Sequence, residues 1–348
     1  MFAVVLDRFG PPRVLNYREV ADPELQPGHA LVRVEAAAVN HLDLDIRAGV
    51  SRLPIHFPHI GGLEGAGRVM RVAGPEPAVV APGDQVLILE EIPCGRCDAC
   101  LAGHPNRCDN TDWTGVARQG VFAEQISVPV AGLVKLPPGR PATDWATVQG
   151  AFGTAWHMLF TRGRLQAGER VLINAVGSGI GSAALQLATI AGADVLVTAG
   201  SDEKIERARK MGARDGVNYS RENLSETVMT MTDGNGVDLV YDHVGGDVLV
   251  ESLKVVSPGG RVVTCGAHGG EIVPLDLIEL FRAERTIIGS RTCTVDELRK
   301  VFALFASGRI DPVIDSILPL SRAAAAHERL ANRAQFGKIV LVPDALVS

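Results

Sequence analysis

The chain has 348 residues, enough for about two domains, and 46% of them are hydrophobic, so a large core can form. The net charge is −6 and the pI is about 5.9, which argues against nucleic acid as the main partner. Residues 171–200 contain one charged residue, Asp194, but glycines interrupt this apolar stretch near both ends. We therefore predict a buried strand–turn–helix–strand unit there and no membrane span.

The N-terminal part, about 145 residues long, is rich in turns and short strands. Pro-Gly pairs separate three predicted strands, which are Ala30–Glu35, Gly67–Val72 and Asp84–Leu89. A lobe from about Pro93 to Asn110 follows as an insertion.

From about Gly168 onward, apolar strands alternate with helices, and this βαβα order predicts a parallel, doubly wound sheet. The predicted strands are Val171–Ala175, Val195–Ala199, Val217–Tyr219, Val237–Asp242 and Arg261–Cys265. The predicted helices include Ile180–Ala191 and Asp202–Met211, and a closing strand is expected at Lys338–Val342. The fold class is therefore α/β, with a second, β-rich domain.

The lobe contains four closely spaced cysteines, in the pattern C-x2-C-x2-C-x7-C. They are Cys94, Cys97, Cys100 and Cys108. Four thiolates at such spacing can bind one zinc ion tetrahedrally and leave no position open for chemistry. Two disulfides, or four unrelated cysteines, are the alternatives. Since the N-terminus does not resemble a secretory signal, we expect a reducing cytoplasmic setting and a structural zinc ion.

A glycine-rich turn joins the predicted strand Val171–Ala175 to the helix that follows it. The candidate cofactor-binding residues of this turn are Gly177, Ser178, Gly179, Ile180 and Gly181. Backbone N–H groups at a helix start favour a pyrophosphate, and glycines let the backbone approach it closely. An ordinary tight turn is the alternative, but the strand before and the helix after favour dinucleotide binding.

The end of the second strand of this domain indicates which dinucleotide binds. An NAD site usually has an acid at that strand tip, and here Gly200 and Ser201 occupy it. These residues leave room for a 2′-phosphate, which Lys204 could neutralise, with Arg207 as a weaker candidate. We therefore predict NADPH in preference to NADH, although Ser201 would also suit a helix cap with either cofactor.

These motifs together resemble the medium-chain dehydrogenase/reductase superfamily over nearly the whole chain. Besides the cysteine lobe and the glycine turn, the resemblance rests on Gly61–Gly67, Pro82–Val86 and Phe336–Lys338. It implies a GroES-like catalytic domain from residues 1–149 and 290–348, with the zinc lobe at 93–110. It also implies a Rossmann NADP-binding domain at residues 150–289 and a homodimer or homotetramer.

Zinc alcohol dehydrogenases of this superfamily hold a catalytic zinc ion through Cys, His and often a second Cys, near a Glu. The matching positions here are Asn40, Leu63 and Gly150, and only the acid, Glu64, is present. Leu and Gly cannot bind zinc, and a catalytic site usually needs three protein ligands. The nearby His41 and His59 could substitute in an atypical second metal site, and a local structural role is the alternative.

The sequence Val39–Asp43, which reads V-N-H-L-D, resembles the zinc-free quinone oxidoreductases and enoyl reductases instead. This resemblance implies that Asn40 lies near the nicotinamide and that Thr154 contacts the cofactor. The other cofactor-binding residues that it implies are Ser201, Lys204 and Tyr219 at the 2′-phosphate, Gly266 and Ala267 at the nicotinamide, and Lys338. The four-cysteine lobe departs from that branch.

The resulting hypothesis is an NADPH-dependent reductase that passes hydride to an enone, an enoyl compound or a quinone, all small molecules. A conjugated acceptor needs only hydrogen-bond donors at its carbonyl oxygen, and the predicted role of the Asn40 amide is to polarise that carbonyl or to fix the nicotinamide. Water or His41 would return the proton. Two alternatives are a zinc alcohol dehydrogenase with unusual ligands and a redox-silent NADPH-binding sensor.

Overall fold

The computed structural model describes residues 1–74 and 79–347. Short strands dominate the N-terminal part, and strands alternate with helices after residue 170. The strands, in chain order, are β1 (Phe2–Leu6), β2 (Leu15–Glu19), β3 (His29–Ala38), β4 (His59–Ile60), β5 (Glu64–Val72), β6 (Gln85–Ile88), β7 (Glu91–Ile92), β8 (Asp112–Trp113), β9 (Gln125–Pro129), β10 (Leu133–Lys135), β11 (Arg170–Ile173), β12 (Asp194–Ala199), β13 (Asp215–Asn218), β14 (Val237–Asp242), β15 (Val256–Thr264), β16 (Thr286–Gly289), β17 (Ile314–Pro319) and β18 (Lys338–Val342).

The three α-helices between residues 98 and 156 are short, and those after residue 178 are longer. In chain order they are α1 (His41–Ala48), α2 (Asp98–Leu101), α3 (Ala142–Trp145), α4 (Thr154–Trp156), α5 (Gly179–Ile190), α6 (Asp202–Lys210), α7 (Leu224–Met231), α8 (Gly246–Lys254), α9 (Leu277–Arg282), α10 (Val295–Ala306) and α11 (Ala323–Ala331). No helix in the described ranges combines the length and apolar character needed to cross a lipid bilayer.

The chain divides into two units, one formed by residues 1–150 and 314–348 and the other by residues 151–313. The sequence-based division assigns residues 290–313 to the catalytic domain, whereas here they belong to the second unit. They belong there because α10 packs within it. Phe305 lies edge-on to Phe152 with ring centroids 5.3 Å apart, and Glu297 bonds to His157 at 2.9 Å.

A six-stranded parallel sheet forms the second unit, in the order β13-β12-β11-β14-β15-β16. Leu172, Val240 and Val262 are fully buried in its core, as expected for strands covered on both faces. β11 lies between β12 and β14, so the strand order reverses at β11. Doubly wound folds bind their ligands beside such a reversal, at the carboxyl ends of the strands. The predicted α/β fold class is confirmed.

The first unit is built on a largely antiparallel sheet, in the order β10-β6-β5-β3-β18-β17, with β9 also paired to β3. Its strands approach one another closely. A Cβ atom at Gly67 of β5 would lie 2.1 Å from the Arg33 carbonyl oxygen of β3, so only glycine fits there. Strand β18 follows the second unit in sequence, yet it lies inside this sheet between β3 and β17.

Candidate active site

Three strands of the first unit bring polar side chains to one end of its sheet. Ala38, the last residue of β3, is paired with Glu64 on β5 and with Val340 on β18. Asn40 therefore follows the end of β3 at the point where β5 and β18 begin. Lys338, the first residue of β18, joins Asn40 and Glu64 there.

These three residues form a hydrogen-bonded group, here called the Asn40–Glu64–Lys338 cluster. The Lys338 ammonium donates to Asn40 Oδ1 at 2.7 Å and to Glu64 Oε1 at 2.8 Å. The Asn40 amide donates to Glu64 Oε1 at 3.2 Å. Glu64 is 0% exposed and Lys338 is 7% exposed, so their opposite charges compensate each other in a buried setting. The cation that compensates the Glu64 carboxylate in this cluster is therefore the Lys338 ammonium.

The positions that match the missing zinc ligands are closed by packing. The Gly150 N–H donates to Glu64 Oε2 at 2.6 Å, and a Cβ atom at Gly150 would lie 2.6 Å from Glu64 Oε1. A cysteine at this position would therefore require the Glu64 carboxylate to move out of its hydrogen bonds. Leu63 is 1% exposed and packs in an apolar cluster with Ile46 and Val116.

The two nearby histidines lie on different elements of the first unit, and a catalytic role for His41 stays a prediction. His59 is buried, its Nε2 lies 2.9 Å from the Gly115 carbonyl oxygen, and burial lowers its pKa. His41 is the first residue of α1. Across residues 1–74 and 79–347, the four lobe cysteines are the one group of three or more His, Cys, Asp or Glu ligand atoms close enough to share a metal ion.

Two further acids, Asp43 and Glu90, lie near the Asn40–Glu64–Lys338 cluster. Asp43 accepts a 2.7 Å hydrogen bond from the Asn40 backbone N–H, which holds the start of α1, and burial raises its pKa to about 7. Glu90 lies just beyond β6, and burial of its carboxyl raises its pKa to about 8. Glu90 is not among the site residues predicted from the sequence. The available signal was a pair of acids, Glu90 and Glu91, directly after a predicted buried strand.

The four lobe cysteines have the geometry of a zinc site. Their sulfur atoms all lie within 4.8 Å of one another, and the Sγ atoms of Cys97 and Cys108 are 3.8 Å apart. Tetrahedral zinc with Zn–S bonds of about 2.3 Å requires sulfurs about 3.8 Å apart. None of the four forms a disulfide. The cluster could therefore hold one zinc ion, and the disulfide alternative is wrong.

The glycine-rich turn of the second unit links β11 to α5, as predicted. Ser178 caps α5, and its Oγ accepts from the Gly181 N–H at 2.8 Å and lies 2.8 Å from His243 Nε2. A Cβ atom at Gly181 would lie 2.6 Å from the Ala175 carbonyl oxygen, so the helix approaches the strand closely. The N-terminus of α5, with Gly179 and its neighbours, thus meets the geometric requirement for binding a pyrophosphate.

Residues at the end of β12 occupy the place expected for the adenosine ribose. Ser201 caps α6, and a Cβ atom at Gly200 would lie 3.0 Å from the Tyr219 hydroxyl. The acid that follows, Asp202, pairs with Arg221 at 2.6 Å. The Lys204 side chain reaches the glycine turn, since its Nζ lies 3.5 Å from a Cβ placed on Gly177.

The remaining predicted residues lie in separate parts of the fold. Gly266 and Ala267 follow β15, and a Cβ atom at Gly266 would lie 2.1 Å from the His243 carbonyl oxygen, so the two loops touch. Thr154 begins α4 and is buried. Lys338 lies in the Asn40–Glu64–Lys338 cluster, and its role in cofactor binding stays a prediction.

Comparison with known proteins adds the family context. Residues 26–138 match the family model of the alcohol dehydrogenase GroES-like domain, and residues 179–307 match that of zinc-binding dehydrogenases. A quinone oxidoreductase of Pseudomonas aeruginosa is 31% identical, covering 96% of this chain and 97% of its own. A 2-haloacrylate reductase of a Burkholderia species is 29% identical, with 99% and 100% covered. A solved structure described as an NAD-dependent alcohol dehydrogenase has a TM-score of 0.93 at 37% identity, with 98% and 99% covered.

Proposed function

Because this chain belongs to the medium-chain dehydrogenase/reductase superfamily and is an NAD(P)-dependent oxidoreductase, we propose that it reduces activated double bonds or quinones without a catalytic zinc ion. The Asn40–Glu64–Lys338 cluster carries this proposal. A lysine ammonium bonds to Glu64 there, and neither Leu63 nor Gly150 can bind a metal.

The chemistry of the acceptor follows from the absence of metal ligands at these positions. Oxidation of a simple alcohol is harder without a Lewis acid, which stabilises the alkoxide. When an enone, an enoyl compound or a quinone accepts hydride, the charge spreads onto a carbonyl oxygen, where hydrogen-bond donors suffice. Asn40 is the proposed donor through its second amide N–H, which makes only a long contact of 3.5 Å to the Ala38 carbonyl oxygen. The names of the two reductase relatives support this substrate class.

Metal analysis combined with turnover tests this function. We expect one zinc ion per chain and oxidation of NADPH in the presence of a simple quinone or an α,β-enone. Two zinc ions per chain, with activity lost when one is selectively removed, would contradict the proposal and favour a zinc alcohol dehydrogenase. Tight NADPH binding without turnover of any quinone or enone would support the redox-silent sensor instead.

NADPH is the proposed cofactor because of the residues at the end of β12. The Tyr219 ring packs closely against Gly200, which places its hydroxyl at the end of the strand, and Ser201 offers a second hydroxyl there. The Asp202 carboxylate, which could otherwise select a 2′-hydroxyl, is bonded to Asn218 and Arg221. The proposed ligand of the 2′-phosphate is the Lys204 ammonium.

Replacing Lys204 with alanine is expected to weaken NADPH binding about 10- to 100-fold, since a charge-assisted hydrogen bond contributes about 1.5–3 kcal/mol. NADH has no 2′-phosphate, and its affinity should change by no more than about twofold. Titration of each dinucleotide by fluorescence measures both constants. Lys210→Ala, which removes an exposed lysine from the same helix, is the matched control. Equal losses for the two cofactors would place Lys204 at the pyrophosphate.

We also propose a homodimer, or a tetramer built from it, formed through the β16 edge of the parallel sheet. Among the strands of residues 1–74 and 79–347, β16 pairs with β15 alone, so its other backbone edge is open. Leu277, Ile278 and Phe281 of α9 and Ile287 of β16 are exposed apolar side chains in the same region of the chain. A cytoplasmic location is proposed because four adjacent thiols without disulfides suit a reducing compartment.

A further inference from the structure

Glu90 lies at the same end of the sheet as the Asn40–Glu64–Lys338 cluster. Gly65 of β5 is paired with Ile88 of β6, so the residues just beyond β6 lie beside the start of β5. The Glu90 N–H donates to Gln149 Oε1 at 3.0 Å, and the Thr114 N–H donates to the Glu90 carbonyl oxygen at 2.9 Å. The backbone of Glu90 is therefore held on both sides, which fixes where its side chain begins.

The charges around Glu90 favour its neutral form. Burial raises its pKa to about 8, and the carboxylates of Glu64, Glu91 and Asp43 act in the same direction. Lys338 acts in the opposite direction, but its ammonium is already bonded to Glu64 and Asn40. In the described part of the chain, the Glu90 carboxyl has no ion pair. It is consequently protonated at neutral pH.

Among the acids near the cluster, Glu90 is the one suited to giving up a proton. Glu64 is fully buried and accepts from Lys338, Asn40 and the Gly150 N–H. Asp43 is 4% exposed, and its Oδ2 accepts from the Asn40 N–H. Glu90 is less buried as a residue than Glu64 and Asp43, and in the described part of the chain its carboxyl accepts no hydrogen bond that would hold it ionised.

We propose that Glu90 is the general acid of the reduction, an inference that rests on the proposed function. When bound, the nicotinamide would supply the hydride that the β-carbon of the acceptor gains, and the π electrons of the acceptor would move onto its carbonyl oxygen as an enolate. The Glu90 O–H then breaks, and its proton forms the C–H bond at the α-carbon while the carbonyl re-forms. With a quinone, the proton goes to the phenolate oxygen. The Glu90 carboxylate regains a proton from water.

This assignment replaces His41 or bulk water as the expected source of the proton. A positioned acid with a pKa near the working pH contributes about 100- to 10,000-fold to rate. The acid must be protonated to act, so kcat should be at its maximum below pH 8 and fall as pH rises through about 8.

The experiment compares wild type with Glu90→Gln, a neutral side chain of the same shape that preserves folding because Glu90 is itself neutral. We expect kcat for an α,β-enone to fall about 100-fold or more, while the NADPH dissociation constant stays within about twofold. The decline of kcat above pH 8 should disappear in the variant. Glu91→Gln, which removes the adjacent acid, is the matched control and should keep wild-type kcat.

A second measurement needs neither cofactor nor acceptor. Infrared difference spectra between wild type and Glu90→Gln should show a protonated carboxyl band at pH 7 that disappears as pH passes about 8. A carboxylate already ionised at pH 7 would overturn the assignment of Glu90 as the acid while leaving the reductase function intact. Wild-type kcat with an unchanged pH profile in Glu90→Gln would also overturn it. A wild-type enzyme that reduces none of the acceptors defeats the proposed function itself, and the acid role falls with it.

Discussion

Replacing Lys338 with methionine is expected to lower the free energy of unfolding by about 3–5 kcal/mol. The change leaves the Glu64 carboxylate buried without its cation, and removing one partner of a buried ion pair costs about this much. Glu64 is 0% exposed, so water cannot take the place of the ammonium. Urea unfolding followed by circular dichroism measures the change, and reductase activity should also be lost.

Two controls separate the loss of charge compensation from the loss of packing. The double variant Glu64→Gln, Lys338→Met removes both charges and should recover most of the stability, because a neutral amide replaces the uncompensated carboxylate. Lys135→Met breaks an exposed ion pair with Asp84 and should cost less than about 1 kcal/mol. A cost for Lys338→Met as small as that of Lys135→Met would show that the cluster does not depend on its charges.

Replacing Cys97 with serine is expected to remove the zinc ion and to yield poorly folded protein. A zinc ion held by four thiolates contributes directly to folding, with apparent binding free energies of about 10–16 kcal/mol in small zinc domains. Loss of one ligand should lower the melting temperature by about 10 °C or more. Zinc content by atomic emission and thermal unfolding measure the two effects.

Cys265→Ser is the matched control, because Cys265 follows β15 and lies outside the lobe. This variant should keep one zinc ion per chain and a melting temperature close to that of wild type. If Cys97→Ser instead gave a well-folded but inactive enzyme, the lobe would have a catalytic role that its closed geometry does not indicate.

Elements defined by local patterns could be predicted closely from the sequence. The strands Val237–Asp242 and Lys338–Val342 have the predicted bounds. The strand predicted at Gly67–Val72 begins at Glu64, because pairing of Glu64 with Ala38 extends it. This pairing depends on a distant strand, and a local pattern contains no signal for it.

In the candidate site too, features set by neighbouring residues could be predicted from the sequence, and features set by residues far apart in the chain could not. The glycine turn from Gly177 to Gly181 is a continuous motif, so its strand, turn and helix could be predicted together. The contact between Lys338 and Asn40 joins residues 298 positions apart, and nothing near Lys338 indicates that its ammonium is buried. The protonation of Glu90 likewise depends on Glu64 and Asp43, which reach it only through the folded sheet.

The position of β18 in the chain determines the order in which the two units can fold during synthesis. The second unit is one continuous stretch, residues 151–313, and can fold as soon as it leaves the ribosome. The first unit must wait for β18, since this strand fills the gap between β3 and β17. Until then, β3 has an open edge and Glu64 has no cation, so the nascent chain is prone to aggregation. Synthesis of β18 thus completes the sheet and the candidate active site in one event, and a chain truncated before β18 would lack both.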